Sequence, residues 1–232
     1  MPLFQIRSVK LFTVALRHLL IATAITMPAR AVDVAQVEDT KFSNDRGFYS
    51  EPVSVEISTK TRGAVIFYTL DGSAPTATHG IRYQATVPIF STTVLRAAAF
   101  KDGMKSTNVD TMTYIFPQQV LKQSGEGLPK TWGMRNETPV VADYEMDPEI
   151  TDSPIYRDRL LQGLESLPAV SIVLSQSDWL DPRQGLYANP TERGAAWERP
   201  ASAEMIFPRR AIDRLQVKEK NFQIDCGLRV QG

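Results

Sequence analysis

Five carboxylates in the second half of the chain have side chains that could hold a metal ion or act as an acid and base pair. They are Asp178, Asp181, Glu192, Glu198 and Glu204. A loop that binds a hard cation places its acidic residues at close, alternating positions around a glycine. These five are instead scattered among prolines and tryptophans. The spacing therefore predicts solvated loop and strand residues, and it assigns no metal ligand.

The histidines and the single cysteine give no support for nucleophilic catalysis. His79 is the one histidine outside the first 31 residues, and no orienting acid or nucleophile motif surrounds its polar loop. We therefore expect a surface histidine. Cys226 has apolar neighbours two residues away on either side, which favours a buried and inert thiol. The sequence assigns no catalytic residue.

Three tryptophans are the candidates for a ligand surface: Trp132, Trp179 and Trp197. Trp197 stands two residues before Arg199, and an indole beside a guanidinium could stack on a sugar or on a base. The alternative is that Trp197 plugs a loop onto the core, which is the commoner role of such a side chain and the favoured one here. The binding residues stay unknown at this point.

The first 31 residues have the layout of a signal peptide. Basic residues extend through Arg17, an apolar stretch covers 19 to 27, and Ala29-Arg30-Ala31 forms a small-x-small cleavage site. The apolar stretch has about half of the roughly 20 residues that span a bilayer. We therefore expect cleavage after Ala31, a secreted, extracellular or cell-surface location, and no stable membrane span afterwards.

The charge balance makes nucleic acid an unlikely kind of partner. The chain has 26 basic and 26 acidic residues, and the signal segment holds four of the basic residues and none of the acidic ones. The mature chain is therefore net acidic, which opposes binding to a phosphate backbone. We expect no nucleic-acid partner.

Residues 42 to 116 have the pattern of short strands separated by turns. In the run 53–58 apolar and polar residues alternate, as on a half-buried strand. The segment 64–70 is continuously apolar, as in a central strand that is covered on both faces. Further strands follow, with Asp102-Gly103 as a hairpin turn. The pattern predicts an all-β sandwich.

The same region resembles a known family. The resemblance is carried by Tyr68-Thr69-Leu70-Asp71-Gly72-Ser73-Ala74-Pro75-Thr76, by Val87-Pro88-Ile89 and by Thr93-Val94-Leu95-Arg96-Ala97-Ala98-Ala99-Phe100. These segments resemble the chitobiase/β-hexosaminidase C-terminal type domain over about residues 42–116. The resemblance implies a small immunoglobulin-like or fibronectin-like sandwich that accompanies other modules in secreted bacterial proteins.

The second half begins with a proline-interrupted segment. Four prolines interrupt residues 117–152, and Gly125 and Gly127 lie in the middle of the segment, which indicates a Pro-rich linker or an extended wrap. One helix is predicted to begin at the Ser153 cap and to end before Pro168, with its leucine stripe facing the core. Strands are predicted over 170–174, 201–207 and 222–230, and in the last two we expect the apolar face to be the buried one.

This half resembles the opening of the CotH kinase family over residues 128–232. The resemblance is carried by segments at 167–173, 185–189, 197–204 and 227–232. It implies a parent that transfers a phosphoryl group from ATP with magnesium. In the family, a lysine-bearing strand and metal-binding acids follow Gly-Leu-Arg-Val-Gln-Gly, with which this chain ends. Residues 153–232 are therefore expected to be the start of an incomplete α+β, kinase-like domain, and no catalytic residue, ATP or magnesium is carried over.

Three functions stay open, and the first is favoured. In the first, the chain is an exported, non-catalytic fragment of a CotH-type kinase-like secreted protein, with the sandwich as an accessory interaction module. The second is a carbohydrate-associated binding module of the cell surface, with a polysaccharide or a protein as partner. The third is a protein kinase activity that exists only in a longer parent chain. The chain as given is predicted not to be an enzyme.

Overall fold

Nine short strands run through residues 41 to 115 of this computed structural model, which describes residues 34–135, 137–208 and 221–230. They are β1 (Lys41–Phe42), β2 (Gly47–Phe48), β3 (Val53–Val55), β4 (Ile57–Ser58), β5 (Val65–Thr69), β6 (Ile81–Arg82), β7 (Val87–Ile89), β8 (Thr93–Phe100) and β9 (Asp110–Ile115). The predicted signal peptide, residues 1–31, lies outside the described residues.

Five of these strands form one sheet, and the other four form two antiparallel pairs packed against it. The sheet has the order β2-β9-β8-β5-β6, and the pairs are β1-β4 and β3-β7. The core between them consists of aliphatic residues and one tyrosine: Val55, Ile57, Val87, Ile89, Leu95, Ala97, Ala99 and Tyr114. Burial of these side chains drives this part of the fold. The predicted mainly-β, immunoglobulin-like sandwich is confirmed.

The strands are less regular than their pattern predicts. The run 53–58 breaks at Glu56, so that β3 pairs with β7 whereas β4 pairs with β1. Residues 95 to 99 of β8 are all buried, while β5 is partly exposed. The strand covered on both faces is therefore β8, and not the segment 64–70 as predicted. Three consecutive alanines, 97 to 99, place small side chains on both faces of β8 and allow it to be covered closely.

The predicted hairpin turn at Asp102-Gly103 is part of a longer connection. The ladder between β8 and β9 ends at the pair Ala97 and Asp110. Gly103 has a φ of 74°, which suits a turn. The turn exists, but it does not join the two strands directly.

The segment 117–152 contains ordered elements. They are α1 (Pro117–Val120), β10 (Thr131–Arg135), β11 (Thr138–Val141) and α2 (Pro148–Thr151), and β10 and β11 pair as an antiparallel hairpin. Pro117 and Pro148 each occupy the first position of a helix, where the missing N–H group removes no hydrogen bond. Prolines that suggested a linker thus mark helix starts, and the segment is a folded connection.

The predicted helix is α3 (Arg157–Leu164), which begins later than expected. The Ser153 hydroxyl accepts a hydrogen bond from Ile155 N in a turn that precedes the helix. The prediction that its leucine stripe faces the core is wrong, because no residue of α3 is buried and Leu167 just beyond it is 65% exposed. The main contacts of the helix are with α1 and α2. No helix in the described part of the chain is long and apolar enough to cross a bilayer.

The last three predicted strands form a second sheet. They are β12 (Ala169–Val173), β13 (Arg199–Ile206) and β14 (Phe222–Leu228), paired antiparallel in that order. Between β12 and β13 lie α4 (Gln176–Leu180) and a short 3-10 helix (Ala195–Trp197). The prediction of these strands is confirmed within two residues at each end in the described ranges.

The second sheet buries the face that the sequence pattern assigned to solvent. Ser202 and Glu204 of β13 are buried, and Glu204 is only 1% exposed. On β14, Phe222 and Ile224 are 46% and 53% exposed, and Cys226 is half-buried. The prediction that the apolar face points inward is therefore wrong for β13 and for the start of β14, whereas Cys226, Leu228 and Val230 are less exposed than Asp225, Gly227 and Arg229. The polar face is inside because it packs on β9 of the sandwich, which presents polar groups of its own.

Candidate functional site

A cleft of about 940 Å³ lies where the sandwich, the β10–β11 hairpin and the second sheet meet. Four aromatic side chains run along it in contact with one another: Trp132 with Tyr144, Trp132 with Tyr187, and Tyr187 with Trp179. Their ring centroids are 5.4, 5.2 and 5.4 Å apart. These separations are in the range of favourable aromatic pairs. We call this site the aromatic cleft.

Each ring is held by a different element. Trp132 lies on β10. Tyr144 lies in the segment after β11, and its hydroxyl donates a hydrogen bond of 2.9 Å to Pro129 O. Trp179 lies on α4, whose first turn is capped by the Ser175 hydroxyl accepting from the backbone of the same helix. Tyr187 N donates to Trp179 O at 2.9 Å. The backbone thus fixes the rings before any ligand arrives.

The remaining lining of the aromatic cleft is mainly aliphatic. These residues come from β12, from the loop after α4 and from the end of β14: Ile172, Val173, Leu174, Leu186, Leu228 and Val230. Polar lining side chains include Asp71, Gln176 and Arg229. A mostly apolar concave surface with a few polar groups is typical of a small-ligand site. This one suits a ligand with flat apolar faces and hydrogen-bonding edges.

Gly185 is the residue that places Tyr187 in the cleft. Gly185 N donates to Asp181 O at 2.8 Å, and the turn doubles back closely on itself. A Cβ atom at this position would lie 2.6 Å from Asp181 N and 2.7 Å from Trp179 O. Both neighbours are backbone atoms that cannot swing away. Only glycine therefore permits this turn.

We expect Gly185→Ala to open the turn and move Tyr187 away from its two indole partners. The overpacking should destabilise the protein by about 1 to 3 kcal/mol and change the tryptophan fluorescence and the near-ultraviolet circular dichroism. Gly163→Ala on α3 is the matched control, because no atom lies within 4 Å of its Cβ position. Equal spectra for the wild type and Gly185→Ala would show that this turn does not hold the cleft.

Two of the three tryptophans predicted as candidates meet in the cleft, and the third does not. Trp132 and Trp179 both contact Tyr187. Trp197 lies outside the lining, with the guanidinium carbon of Arg199 5.2 Å above its ring. Arg199 also donates to backbone carbonyls of Gln184 and of its own loop. Trp197 is partly buried and stacks with Arg199 outside the cleft, and its role as a plug on the core stays a prediction.

The two tyrosines of the cleft were missed by the sequence analysis. Tyr187 stands in the segment 185–189, which was used only for the family resemblance, and Tyr144 lies in the proline-interrupted segment. The signal available was the short spacing from Trp179 to Tyr187 across a turn rich in polar residues. That spacing alone does not indicate contact, because it depends on how closely the turn folds back.

Of the five carboxylates considered as metal ligands, Glu204 departs from the expected solvated position. Its carboxylate accepts from Thr113 N at 3.1 Å and from the Thr113 hydroxyl, and Arg46 Nε lies 3.4 Å away. The Thr113 hydroxyl also lies 2.8 Å from the Ser171 hydroxyl. These four residues join the sandwich to the second sheet, and we call them the polar interface.

Burial raises the pKa of Glu204 above its usual value, although the hydrogen bonds of Thr113 and the charge of Arg46 act in the opposite direction. The other four carboxylates do not gather around Glu204. Within the described ranges, no group of three or more His, Cys, Asp or Glu side chains is close enough to hold a metal ion. The chemistry of Glu204 is therefore that of a buried ion pair with Arg46.

His79 lies on the surface and is hydrogen bonded to its own turn. Its Nε2 atom is 2.9 Å from the Ser73 hydroxyl, which itself donates to Asp71 Oδ1 at 2.5 Å. In a hydrolase triad the histidine stands between the acid and the serine. Here the serine stands between the other two, so the arrangement does not activate a nucleophile.

The first half of the chain is an immunoglobulin-like β-sandwich. Comparison with protein-family models matches residues 44–111 to the Chitobiase/beta-hexosaminidase C-terminal domain. The match extends from the segment before β2 to the start of β9 and covers less than half of the chain. It confirms the resemblance that the sequence predicted for this region.

The second half has no such support. The comparisons give no evidence for the CotH kinase family, and that resemblance stays a prediction. Neither the curated proteins nor the solved structures include a match to this chain.

Proposed function

We propose that this chain is an exported, non-catalytic module that binds a polysaccharide in the aromatic cleft. The observation that carries the proposal is the continuous run of Trp132, Tyr144, Tyr187 and Trp179 along one cleft of about 940 Å³. The matched sandwich belongs to a carbohydrate-associated family and contributes residues to the same cleft. Two independent features thus favour the same ligand class.

The physical basis is the two-sided nature of a sugar ring. A pyranose presents apolar C–H groups on its faces and hydroxyl groups around its edge. Tryptophan and tyrosine combine a large apolar ring with a polar atom, so they can cover the sugar face and leave its hydroxyls to polar neighbours. Because the four rings are already held by backbone and ring contacts, little conformational entropy is lost on binding.

The proposed location agrees with this ligand. The segment 1–31 has the order of a signal peptide, with cleavage after Ala31. Export would place the aromatic cleft where cell-surface polysaccharides occur. The net acidic mature chain supports a carbohydrate or a protein as partner in preference to nucleic acid.

A second candidate function concerns the origin of residues 153–232. The three strands predicted there pair as one antiparallel sheet in chain order, preceded by a helix. This arrangement favours the proposal that the segment is the opening of a CotH-type kinase-like domain. ATP and magnesium would then bind only in a longer parent chain, and the present chain would act without catalysis. Reading the coding DNA beyond Gly232 tests this, since an in-frame continuation with lysine and acidic segments supports it and a stop codon opposes it.

The proposed polysaccharide binding predicts a large effect of removing either indole. Trp132→Ala and Trp179→Ala should each weaken binding about thirtyfold, because buried tryptophans at binding sites typically contribute about 2 kcal/mol. The measurement is co-sedimentation of the purified chain with chitin, partly deacetylated chitin, cellulose and peptidoglycan.

Trp197→Ala is the matched control, since this indole lies outside the cleft and should leave binding unchanged. Thermal unfolding of each variant shows whether it is folded. Failure of the wild type to bind any of the four polysaccharides would overturn the proposed function. So would equal binding by the wild type and the two cleft variants.

A further inference from the structure

Among the described residues that line the aromatic cleft, one is acidic and one is basic. Arg229 is the basic one, and its Nη1 atom lies 3.9 Å from Glu198 Oε2. Asp71 is the acidic one and lines the cleft from the sandwich side. No Lys or Arg of the described ranges forms an ion pair with Asp71, and His79, which is hydrogen bonded to the Ser73 hydroxyl, interacts with its charge. Asp71 is therefore the acidic group that a cationic ligand meets in the cleft.

The Asp71 carboxylate is held in place by its own turn. Ser73 N donates to Oδ1 at 3.0 Å, and the Ser73 hydroxyl donates to the same oxygen at 2.5 Å. The hydroxyl bond is the main reason why the pKa of Asp71 is lowered. Both bonds from Ser73 reach Oδ1, so Oδ2 keeps its acceptor capacity for a ligand.

The turn that carries Asp71 is itself held between the two sheets. Arg96 Nη1 on β8 donates to Gly72 O at 3.0 Å, and Arg96 is buried. A Cβ atom at Gly72 would lie 3.5 Å from Val173 Cγ1 on β12, so the turn packs against the floor of the cleft. Gly72 has a φ of +79°, a conformation that favours glycine. A carboxylate held in this way loses little entropy when it binds a donor.

We propose that Asp71 is the specificity-determining residue of the aromatic cleft and that it selects polysaccharides with free, protonated amino groups. The inference rests on the proposed function. An ammonium group donates to Oδ2 in a charge-assisted hydrogen bond, which is about twice as strong as a neutral one. A hydroxyl or an acetylated amine gains less, and a sugar carboxylate is repelled. The aromatic rings bind the sugar face in every case, and Asp71 decides which sugar is preferred.

The test compares oligosaccharides of equal length by calorimetry at mildly acidic pH. The probes are a glucosamine oligomer, an N-acetylglucosamine oligomer and a galacturonate oligomer. We expect the wild type to bind the glucosamine oligomer about tenfold more tightly than the N-acetylated one, the difference that one charge-assisted hydrogen bond makes. Binding of the galacturonate oligomer should be weaker still. Added salt should reduce the preference.

Asp71→Asn keeps an oxygen that can accept from Ser73, so the turn should stay folded, and it should abolish the preference for the amine. Asp102→Asn is the charge-matched control on an exposed loop of the same domain, outside the cleft lining, and it should retain the preference. Equal binding of the amine and N-acetyl oligomers by the wild type, or an unchanged preference in Asp71→Asn, would overturn the role of Asp71 while leaving polysaccharide binding intact. Absence of binding to all three oligomers would overturn both proposals.

Discussion

Replacing Glu204 with alanine is expected to lower the free energy of unfolding by about 3 to 5 kcal/mol, the typical cost of removing one partner from a buried ion pair. The variant leaves the buried Arg46 with only the exposed Asp45 as a counter-charge and leaves Thr113 N without its carboxylate acceptor. Urea unfolding measures the change. Glu198→Ala is the control, because that carboxylate is about half exposed and pairs only loosely with Arg229. We expect it to change stability by less than about 0.5 kcal/mol.

The same glutamate should make stability depend on pH in a defined direction. Desolvation raises its pKa in the folded protein, so between the usual glutamate pKa and the raised value the folded state binds more protons than the unfolded state. Stability from this group is therefore present at low pH and is lost as the pH rises through the raised pKa. Asp110, whose pKa is also raised mainly by desolvation, acts in the same direction.

Glu204→Gln distinguishes the contributions of Glu204 and Asp110 to the pH dependence of stability, because it removes the titration of Glu204 and leaves that of Asp110. The slope of unfolding free energy against pH should be smaller in this variant than in the wild type. An identical slope would mean that Glu204 does not titrate differently in the folded state. If Glu204→Ala were also as stable as Glu198→Ala, the second sheet would not pack on the sandwich through the polar interface.

Replacing Tyr114 with alanine should cost about 3 to 5 kcal/mol, the range for removing a large aromatic side chain from a core. Tyr114 is 0% exposed in β9, and its ring contacts Tyr49 at a centroid distance of 5.5 Å. Its hydroxyl donates to Asn44 O at 3.0 Å. The loss of stability therefore has two causes: a cavity in the core and a carbonyl of Asn44 that no longer has this hydrogen-bond donor.

Two companion variants divide this effect. Tyr114→Phe keeps the ring and removes only the hydroxyl, so it should cost about 1 kcal/mol, the usual net value of one hydrogen bond. Tyr156→Ala removes an exposed tyrosine ahead of α3 and should be nearly neutral. Urea unfolding with a constant m-value should rank the three variants in the order stated. Similar losses for Tyr114→Ala and Tyr156→Ala would contradict the assignment of Tyr114 to the core of the sandwich.

Much of the local structure could be predicted from the sequence. The alternation along 53–58 and 222–230 depends only on the two-residue period of a strand, and both segments are strands in the structure. The turn at Asp71-Gly72-Ser73 is local in the same way, because the bonds that form it connect Ser73 to Asp71. The family match over 44–111 covers the first of these strand segments and the turn.

The aromatic cleft could not be predicted in this way. Its rings come from β10, from the segment after β11, from α4 and from the turn that Gly185 permits. The prolines of 117–152 indicated a linker, because a proline that begins a helix looks the same in sequence as one that interrupts a strand. Contact between Trp132 and Trp179 through Tyr187 depends on how these separate elements meet.

The sequence by itself determined many of the strands and turns, since these depend on residues close together in the chain, and the family resemblance indicated the sandwich. Only the tertiary structure decided which face of the second sheet is buried. Periodicity shows that a strand has two unlike faces, but the surface against which it packs decides which face loses water. Here that surface is polar and includes Thr113 and Arg46, so Glu204 lies inside while Phe222 stays partly exposed.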